Sequence, residues 1–209
     1  MDKHYLSPLF EPATIAVFAG KDTPERQTPQ AIALVEALTA QRFTGQLVFL
    51  DIQTTGTLGD LAQTRADLAI ISLPPGEAIA ALEVAGRIKC KAALVVGSGA
   101  NADVASDMHQ VARRHGMHLL GPNSLGFQRP RAGLNASVVG PLTAAGPLAL
   151  VSQSGALTAS ILDWASQNAV GFSTVVSLGP NTSVDIAQVL DFLASDAQTH
   201  SIVVYMEGI

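Results

Sequence analysis

The chain has 209 residues, of which 48% are hydrophobic and 14% are charged. Soluble domains carry about 25% charged residues, and disordered chains combine low hydrophobicity with high charge, so this composition excludes an intrinsically disordered protein. Twelve Lys and Arg against seventeen Asp and Glu give a formal net charge of -5, which argues against nucleic acid or an anionic membrane as a partner.

The apolar residues come in short runs that glycine, proline or charged residues interrupt. A membrane-spanning helix needs about 20 nearly unbroken apolar residues, so we expect no membrane partner. The chain has one cysteine, Cys90, which suits a reducing compartment, and residues 1–12 lack the apolar core of a signal peptide. The sequence therefore predicts a cytoplasmic protein.

Strand-like and helix-like segments alternate strictly through the first part of the chain. Strict alternation is typical of βαβ units, so we predict an α/β fold with a parallel, doubly wound sheet. The predicted strands are residues 13–19, 47–50, 67–73, 92–96 and 117–120, and the predicted helices are 29–40, 76–87 and 102–115.

The alternation breaks at residues 121–146, which are rich in glycine and proline and show no sustained period. So long a structureless stretch is unusual inside one compact domain. We therefore predict a first domain at residues 1–125, an inter-domain loop at 126–145, and a second domain at 146–209.

The second domain repeats the pattern on a smaller scale. Three strands and two helices make a thin unit with exposed sheet edges, so we expect this domain to be truncated and the chain to end within a longer protein. The predicted strands are residues 147–152, 171–177 and 201–206, and the helices are 155–168 and 183–195.

Candidate ligand positions follow from the predicted sheet, because open parallel sheets bind ligands at the carboxyl ends of their strands. The alternative interpretation is that the glycines there serve tight turns only. The G-x-G-x-x-G fingerprint is absent after the first strand. An NAD dehydrogenase therefore ranks third, after the two functions given at the end of this section. The candidate positions are Gly20, Lys21, Ser72, Pro74, Gly97, Ser98 and Asn123.

The segment 152–157 (SQSGAL) runs from an apolar strand directly into a helix. Ser152, Ser154 and Gly155 put hydroxyl groups and free amide groups at the helix start, which favours binding of an anion such as phosphate. The simpler interpretation is that Ser154 is only an N-cap.

Glutamate and histidine side chains are further candidates for chemistry. Glu207 follows the last predicted strand, where its carboxylate can orient a cationic or imidazole partner, or can simply be a solvated loop residue. The five histidines show no metal-ligand spacing, so no metal site is predicted.

Long motifs in the second half resemble the NDP-forming acyl-CoA synthetases, relatives of the succinyl-CoA synthetase α subunit that include fused bacterial protein lysine acetyltransferases. The resemblance spans the chain and is strongest from residue 119 onward. It implies a Rossmann-like CoA-binding domain followed by a flavodoxin-like domain. The motifs are GPNSLGF (121–127), GLNAS (133–137), and the segments 146–179 and 184–209.

The resemblance also implies roles for individual residues. Ser152, Ser154 and Gly155 match the helix start that holds the phosphate of a phosphohistidine, and Glu207 matches the glutamate that pairs with that histidine. Asn123 matches the loop at the CoA thiol end. The positions that match those touching CoA or acyl-CoA in the family are Ser72, Pro74, Gly97 and Ser98. Gly20 and Lys21 lie in a first loop that departs from the family's usual Gly-Ala-Ser.

In this family, acyl-CoA, ADP and phosphate give acid, CoA and ATP through a phosphohistidine. ATP or ADP with magnesium would bind an ATP-grasp domain elsewhere in the same chain or in a second subunit, and a homo-oligomer is possible. The fragment alone is expected to be inactive.

A protein lysine acetyltransferase that carries this module is as good an interpretation as a working ligase. The alternative from another class is a non-catalytic CoA or nucleotide sensor, which the acidic Asp51 after the second strand favours because it opposes a polyphosphate.

Overall fold

The structure is a computed structural model that describes residues 3–20, 27–52, 65–97, 99–180 and 182–208. The strands in these ranges are β1 Thr14–Phe18, β2 Gln46–Phe49, β3 Leu68–Ile71, β4 Ala92–Val96, β5 His118–Ser124, β6 Gly126–Arg129, β7 Leu134–Ser137, β8 Ala145–Ser152, β9 Phe172–Ser177 and β10 Ser201–Tyr205. The α-helices are α1 Ser7–Phe10, α2 Pro29–Ala40, α3 Pro75–Arg87, α4 Ala102–His115, α5 Gly155–Gln167 and α6 Ile186–Ser195.

The first sheet has five parallel strands in the order β2-β1-β3-β4-β5. Successive side chains of a strand point to opposite faces, so a strand covered on both faces is apolar throughout. In β3, Leu68 and Ile70 pack on the face covered by α2, whereas Ala69 and Ile71 pack on the face covered by α3 and α4. The predicted α/β class with a parallel, doubly wound sheet is confirmed.

The second sheet is mixed, in the order β10-β8-β9-β6-β7. Its strands β10, β8 and β9 are parallel, whereas β6 runs antiparallel to both β9 and β7. Leu162 of α5 packs on one face of this sheet, and Val189 and Phe192 of α6 pack on the other.

The prediction that residues 126–145 form an inter-domain loop is wrong. This segment contains β6, a 3-10 turn at Pro130–Ala132, and β7, and both strands belong to the second sheet. Each strand has only four residues and is buried along its whole length. β6 pairs with β9, which lies far along the chain, and β7 pairs with β6, so a local pattern carries no signal of their burial.

Two smaller differences lie at the end of β5 and at the start of α6. β5 does not end at residue 120, as predicted, but continues through the cis Gly121–Pro122 bond to Ser124. α6 begins at Ile186 rather than at 183, because Asp185 and Gln188 form a reciprocal capping box at its start.

One apolar core includes side chains from both sheets, and buried polar contacts add to it. The guanidinium of Arg129 in β6 donates to Asp196 Oδ2 and Thr174 Oγ1, both at 2.6 Å, and lies 3.3 Å from Glu11 Oε1. Burial would raise the pKa of Asp196, but the hydrogen bond and charge of Arg129 outweigh it and hold that pKa below its usual value. Arg129 thus ties the segment before β1 to the second sheet.

Candidate functional site

A cavity of about 250 Å³ lies at the carboxyl ends of β3 and β4. Its wall includes Ser72 and Pro74 after β3, Gly97 after β4, and Pro122, the neighbour of Asn123. Four of the strand-end positions predicted from the sequence thus line this cavity or adjoin it. Gly20 lies two residues after β1, has a φ of 61°, and is not part of the wall. Lys21 and Ser98 lie outside the described residues.

Helix N-termini adjoin the cavity. Thr28 caps α2 by accepting from the Ala31 amide at 3.1 Å, and Thr28 itself lines the cavity. α3 starts after Pro74, which makes no side-chain cap, so Gly76 and Glu77 begin this helix without a capping oxygen. Free amide groups and the positive end of the helix dipole favour an anionic ligand here.

Asn123 has a conformation that suits a ligand-binding residue. It adopts a φ of 62°, which asparagine tolerates better than most residues. Its Nδ2 donates to Ala100 O at 3.0 Å, whereas its Oδ1 is buried and accepts no hydrogen bond in the structure. Because a buried acceptor without a partner is costly, a ligand donor that reached Oδ1 would remove that cost.

The Asn123 loop also contacts the second sheet. The Ser124 hydroxyl donates to Ser177 O, and the Gly121 amide donates to Thr182 Oγ1 at 3.2 Å. A Cβ at Gly179 would lie 2.4 Å from Asn123 O, so only glycine allows this approach. The loop therefore lies where the carboxyl ends of both sheets meet.

On the other side of this loop, α5 begins with the predicted serines. The Ser152 hydroxyl donates to Ser154 O at 2.9 Å and accepts from the Ser154 amide at 3.1 Å, so it is used within the turn. Ser154 Oγ accepts from the Leu157 amide at 3.4 Å, as an N-cap does, and keeps its own hydrogen available. A Cβ at Gly155 would lie 2.4 Å from Leu125 Cδ1, so α5 starts directly against the Asn123 loop.

Glu207 lies beside the same helix start because of Gln153. The Gln153 backbone N–H donates to Tyr205 O at 3.1 Å, and the side-chain Oε1 of Gln153 accepts from the backbone N–H groups of Glu207 at 2.8 Å and Gly208 at 3.4 Å. Glu207 is exposed. The structure thus brings the Glu207 backbone next to the serine turn.

The sequence patterns did not predict the roles of several residues of this site. Gln153, Leu125 and Gly179 act through partners distant in the chain, which no local pattern reveals. Thr28 had a readable signal, since a threonine followed by proline marks an N-cap and the first helical position.

No group of three His, Cys, Asp or Glu side chains in the described ranges is placed to hold a metal ion. Within the same ranges, no helix is long and apolar enough to cross a membrane.

Residues 145–209 match the family described as succinyl-CoA ligase like flavodoxin domain. The chain is 38% identical over 149 residues to acetate–CoA ligase [ADP-forming] I of Archaeoglobus fulgidus, covering 68% of this chain and 22% of the ligase. It is 36% identical over 149 residues to acetate–CoA ligase [ADP-forming] I subunit alpha of Pyrococcus furiosus, covering 68% of this chain and 32% of the subunit. The chain thus spans less than a third of the length of these relatives.

The fold is also found in a solved structure of dinucleotide forming acetyl-coenzyme A synthetase 1 from Ca. Korarchaeum cryptofilum in the apo form. The TM-score is 0.86 and the sequence identity 28%, over 98% of this chain and 46% of that chain. A second structure of that synthetase holds phosphate and ADP.

Proposed function

This chain belongs to the NDP-forming acyl-CoA synthetase and succinyl-CoA synthetase-like superfamily, and from that premise we propose that it binds a CoA thioester for an ADP-forming acyl-CoA ligase. The observation that carries the proposal is the cavity at the ends of β3 and β4, with the buried, unpartnered Asn123 Oδ1 beside it. Ser72, Pro74, Gly97 and Asn123 would contact CoA, and Gly20, Lys21 and Ser98 are proposed with them.

The cavity suits part of a CoA molecule. Its volume of about 250 Å³ is below that of a typical whole-ligand pocket, about 300–1,000 Å³, so most of the ligand would lie along the adjoining surface. The amide groups that begin α2 and α3 favour the phosphates of CoA. The Asn123 loop, which also contacts α5 through Leu125, would hold the thioester end near the second half of the site.

We propose that the start of α5 binds the phosphate of a phosphohistidine. The Ser154 hydroxyl and the amide groups of Gly155 and Ala156 would donate to the phosphate, while Ser152 keeps the turn in shape. Glu207, held beside the turn by Gln153, would pair with the histidine. In the overall reaction, acyl-CoA, ADP and phosphate give acid, CoA and ATP.

The remaining parts of this reaction would come from elsewhere. An ATP-grasp domain, in the same chain or in a second subunit, would bind ADP or ATP with magnesium, and the comparison with an alpha subunit supports such a division. We propose a domain division near residue 125, with the CoA part before it, and a cytoplasmic location, which the lone buried Cys90 supports.

Calorimetric titration of the purified chain with CoA, acetyl-CoA and NAD tests the CoA site. We expect saturable binding of CoA and acetyl-CoA and no binding of NAD. Asn123→Gly should lower the CoA affinity about tenfold, because glycine keeps the backbone conformation and removes only the amide. Asn168→Ala, at the exposed end of α5, is the control. NAD binding as tight as CoA binding, or an unaffected N123G variant, contradicts the proposal.

A second candidate is a CoA-binding module that does not ligate, as a nucleotide or CoA sensor or as part of a protein lysine acetyltransferase. The observation that favours it is acidic charge at the same edge of the first sheet, with Asp51 just after β2 and Glu77 in the first turn of α3. A chain that binds CoA but supports no ADP-dependent and phosphate-dependent cleavage of acetyl-CoA with an ATP-grasp subunit would favour this candidate.

A further inference from the structure

A larger cavity lies on the α5 face of the second sheet and belongs to neither half of the proposed ligase site. Its volume is about 570 Å³, within the range of about 300–1,000 Å³ typical of small-molecule pockets. It is bounded by residues 138–144, which lead from β7 to β8, and by the side and C-terminal end of α5. The proposed phosphate site is at the opposite end of this helix.

The wall formed by residues 138–144 is held by buried polar side chains. Gln128 in β6 is fully buried, and its amide group donates to Pro141 O at 3.1 Å and accepts from the Thr143 amide at 3.1 Å. Asn135 in β7 is 2% exposed and donates to Gly140 O at 2.9 Å. The cavity is therefore preorganised, because these hydrogen bonds keep the segment from collapsing onto α5.

The polar groups of the wall indicate the charge of the ligand. Asp163 is the one charged side chain among the described residues that line the cavity. The wall also includes Ala165, Ser166 and Ala169 at the C-terminal end of α5, where the helix dipole is negative. Both features favour a cation.

A second, independent observation points to a ligand that hydrogen-bonds. Thr143 lines the cavity, and its Oγ1 is buried without a hydrogen-bond partner in the structure. Most buried hydroxyl groups are partnered, so this oxygen costs free energy, which a rotation of the half-buried Thr143 side chain toward a ligand donor would recover. The rest of the wall is apolar, with Leu142, Leu162 and Val170 among its members.

We propose that this cavity binds a small organic cation, a primary ammonium group on an apolar body. The ammonium group would lie near Asp163 and the end of α5, the apolar body would pack against Leu162 and Val170, and a donor of the ligand would reach Thr143 Oγ1. Binding here is independent of the proposed CoA and phosphate sites, since it uses none of their residues.

Titration of the purified chain with n-hexylamine at neutral pH tests the site, with n-hexanol and n-hexanoate as ligands of similar length and different charge. We expect n-hexylammonium to bind saturably and more tightly than n-hexanol, and n-hexanoate to bind least. Methyl resonances of Leu162 and Val170 should shift with the same saturation. No saturable binding of the amine by a folded chain, or equal affinity for amine and hexanoate, overturns the proposal.

Variants separate charge from shape. Asp163→Asn should lower the affinity for n-hexylammonium about tenfold and leave that for n-hexanol unchanged. Asp107→Asn, an exposed aspartate on α4, is the matched control and should change neither affinity. Thr143→Val should weaken amine binding without destabilising the fold, because its hydroxyl makes no hydrogen bond in the chain. The proposal is overturned if the D163N variant binds the amine as tightly as the unchanged chain. It is also overturned if sedimentation shows that the chain dimerises and that the dimer does not bind the amine.

Discussion

Replacing Arg129 with methionine tests whether its buried contacts hold the segment before β1 and the end of α6 on the second sheet. The side chains of Arg129 and Asp196 are both 4% exposed, so the variant leaves a carboxylate buried without its guanidinium partner. Breaking a buried ion pair from one side costs about 3–5 kcal/mol. In a chain of this size, 1 kcal/mol corresponds to about 2–4 °C, so the Tm should fall by about 6–20 °C.

The same variant has a predictable dependence on pH. The pKa of Asp196 in the folded chain lies below its unfolded value of about 3.9, so its stabilising contribution is complete above that pH and is lost as the pH falls through the folded pKa. Without Arg129, burial dominates and the carboxyl takes up a proton at higher pH. The stability deficit of the variant should therefore shrink between neutral pH and about pH 4.

Chemical denaturation followed by circular dichroism measures both effects. Arg113→Met, an exposed arginine on α4, is the matched control and should change the free energy of unfolding by less than about 0.5 kcal/mol. A loss below about 1 kcal/mol in R129M, or a deficit that stays constant down to about pH 4, would refute the reasoning.

Three further predictions concern single residues. Gly179→Ala should lower the free energy of unfolding by about 1–3 kcal/mol and weaken CoA binding, because its Cβ would lie 2.4 Å from Asn123 O. Gly140 also has a positive φ but has open space around it, so Gly140→Ala should lower the stability less, as thermal unfolding would show. Ser154→Ala should cost about 0.5–2 kcal/mol through loss of the N-cap and should weaken phosphate binding, and equal phosphate binding would contradict the assignment. Burial, together with the charge of Asp67, raises the pKa of Cys90 to about 12, so iodoacetamide should label the thiol only after unfolding, as mass spectrometry would show.

Sequence patterns predicted those elements whose signals are local. Helices over 29–40 and 102–115 are confirmed at the same bounds, because Thr28 with Pro29 marks the first start, and Asn101 and Gly116 bound the second helix. The buried strands β3 and β4 were also recognisable from unbroken apolar runs.

Elements that depend on distant partners were not predictable in this way. β6 and β7 contain glycine, arginine and asparagine. β6 is placed in the sheet by pairing with β9, and β7 by pairing with β6. The residues of the site also differ in whether a local pattern reveals their role. Ser154 was visible as a possible cap, whereas the role of Gln153 rests on the Glu207 backbone, 54 residues away.

A single residue, Leu125, separates the end of β5 in one sheet from the start of β6 in the other. A hinge needs a few residues whose backbone angles are free to change. The one residue at this junction, Leu125, packs against Gly155, and side chains of both sheets lie in one core. We therefore expect the two sheets to move together, so that side chains and surface segments, rather than a closure between the sheets, accommodate a ligand. Proteases should not cut the native chain at this junction. Expressing the two sheets as separate chains divided there would expose the apolar side chains that they bury together.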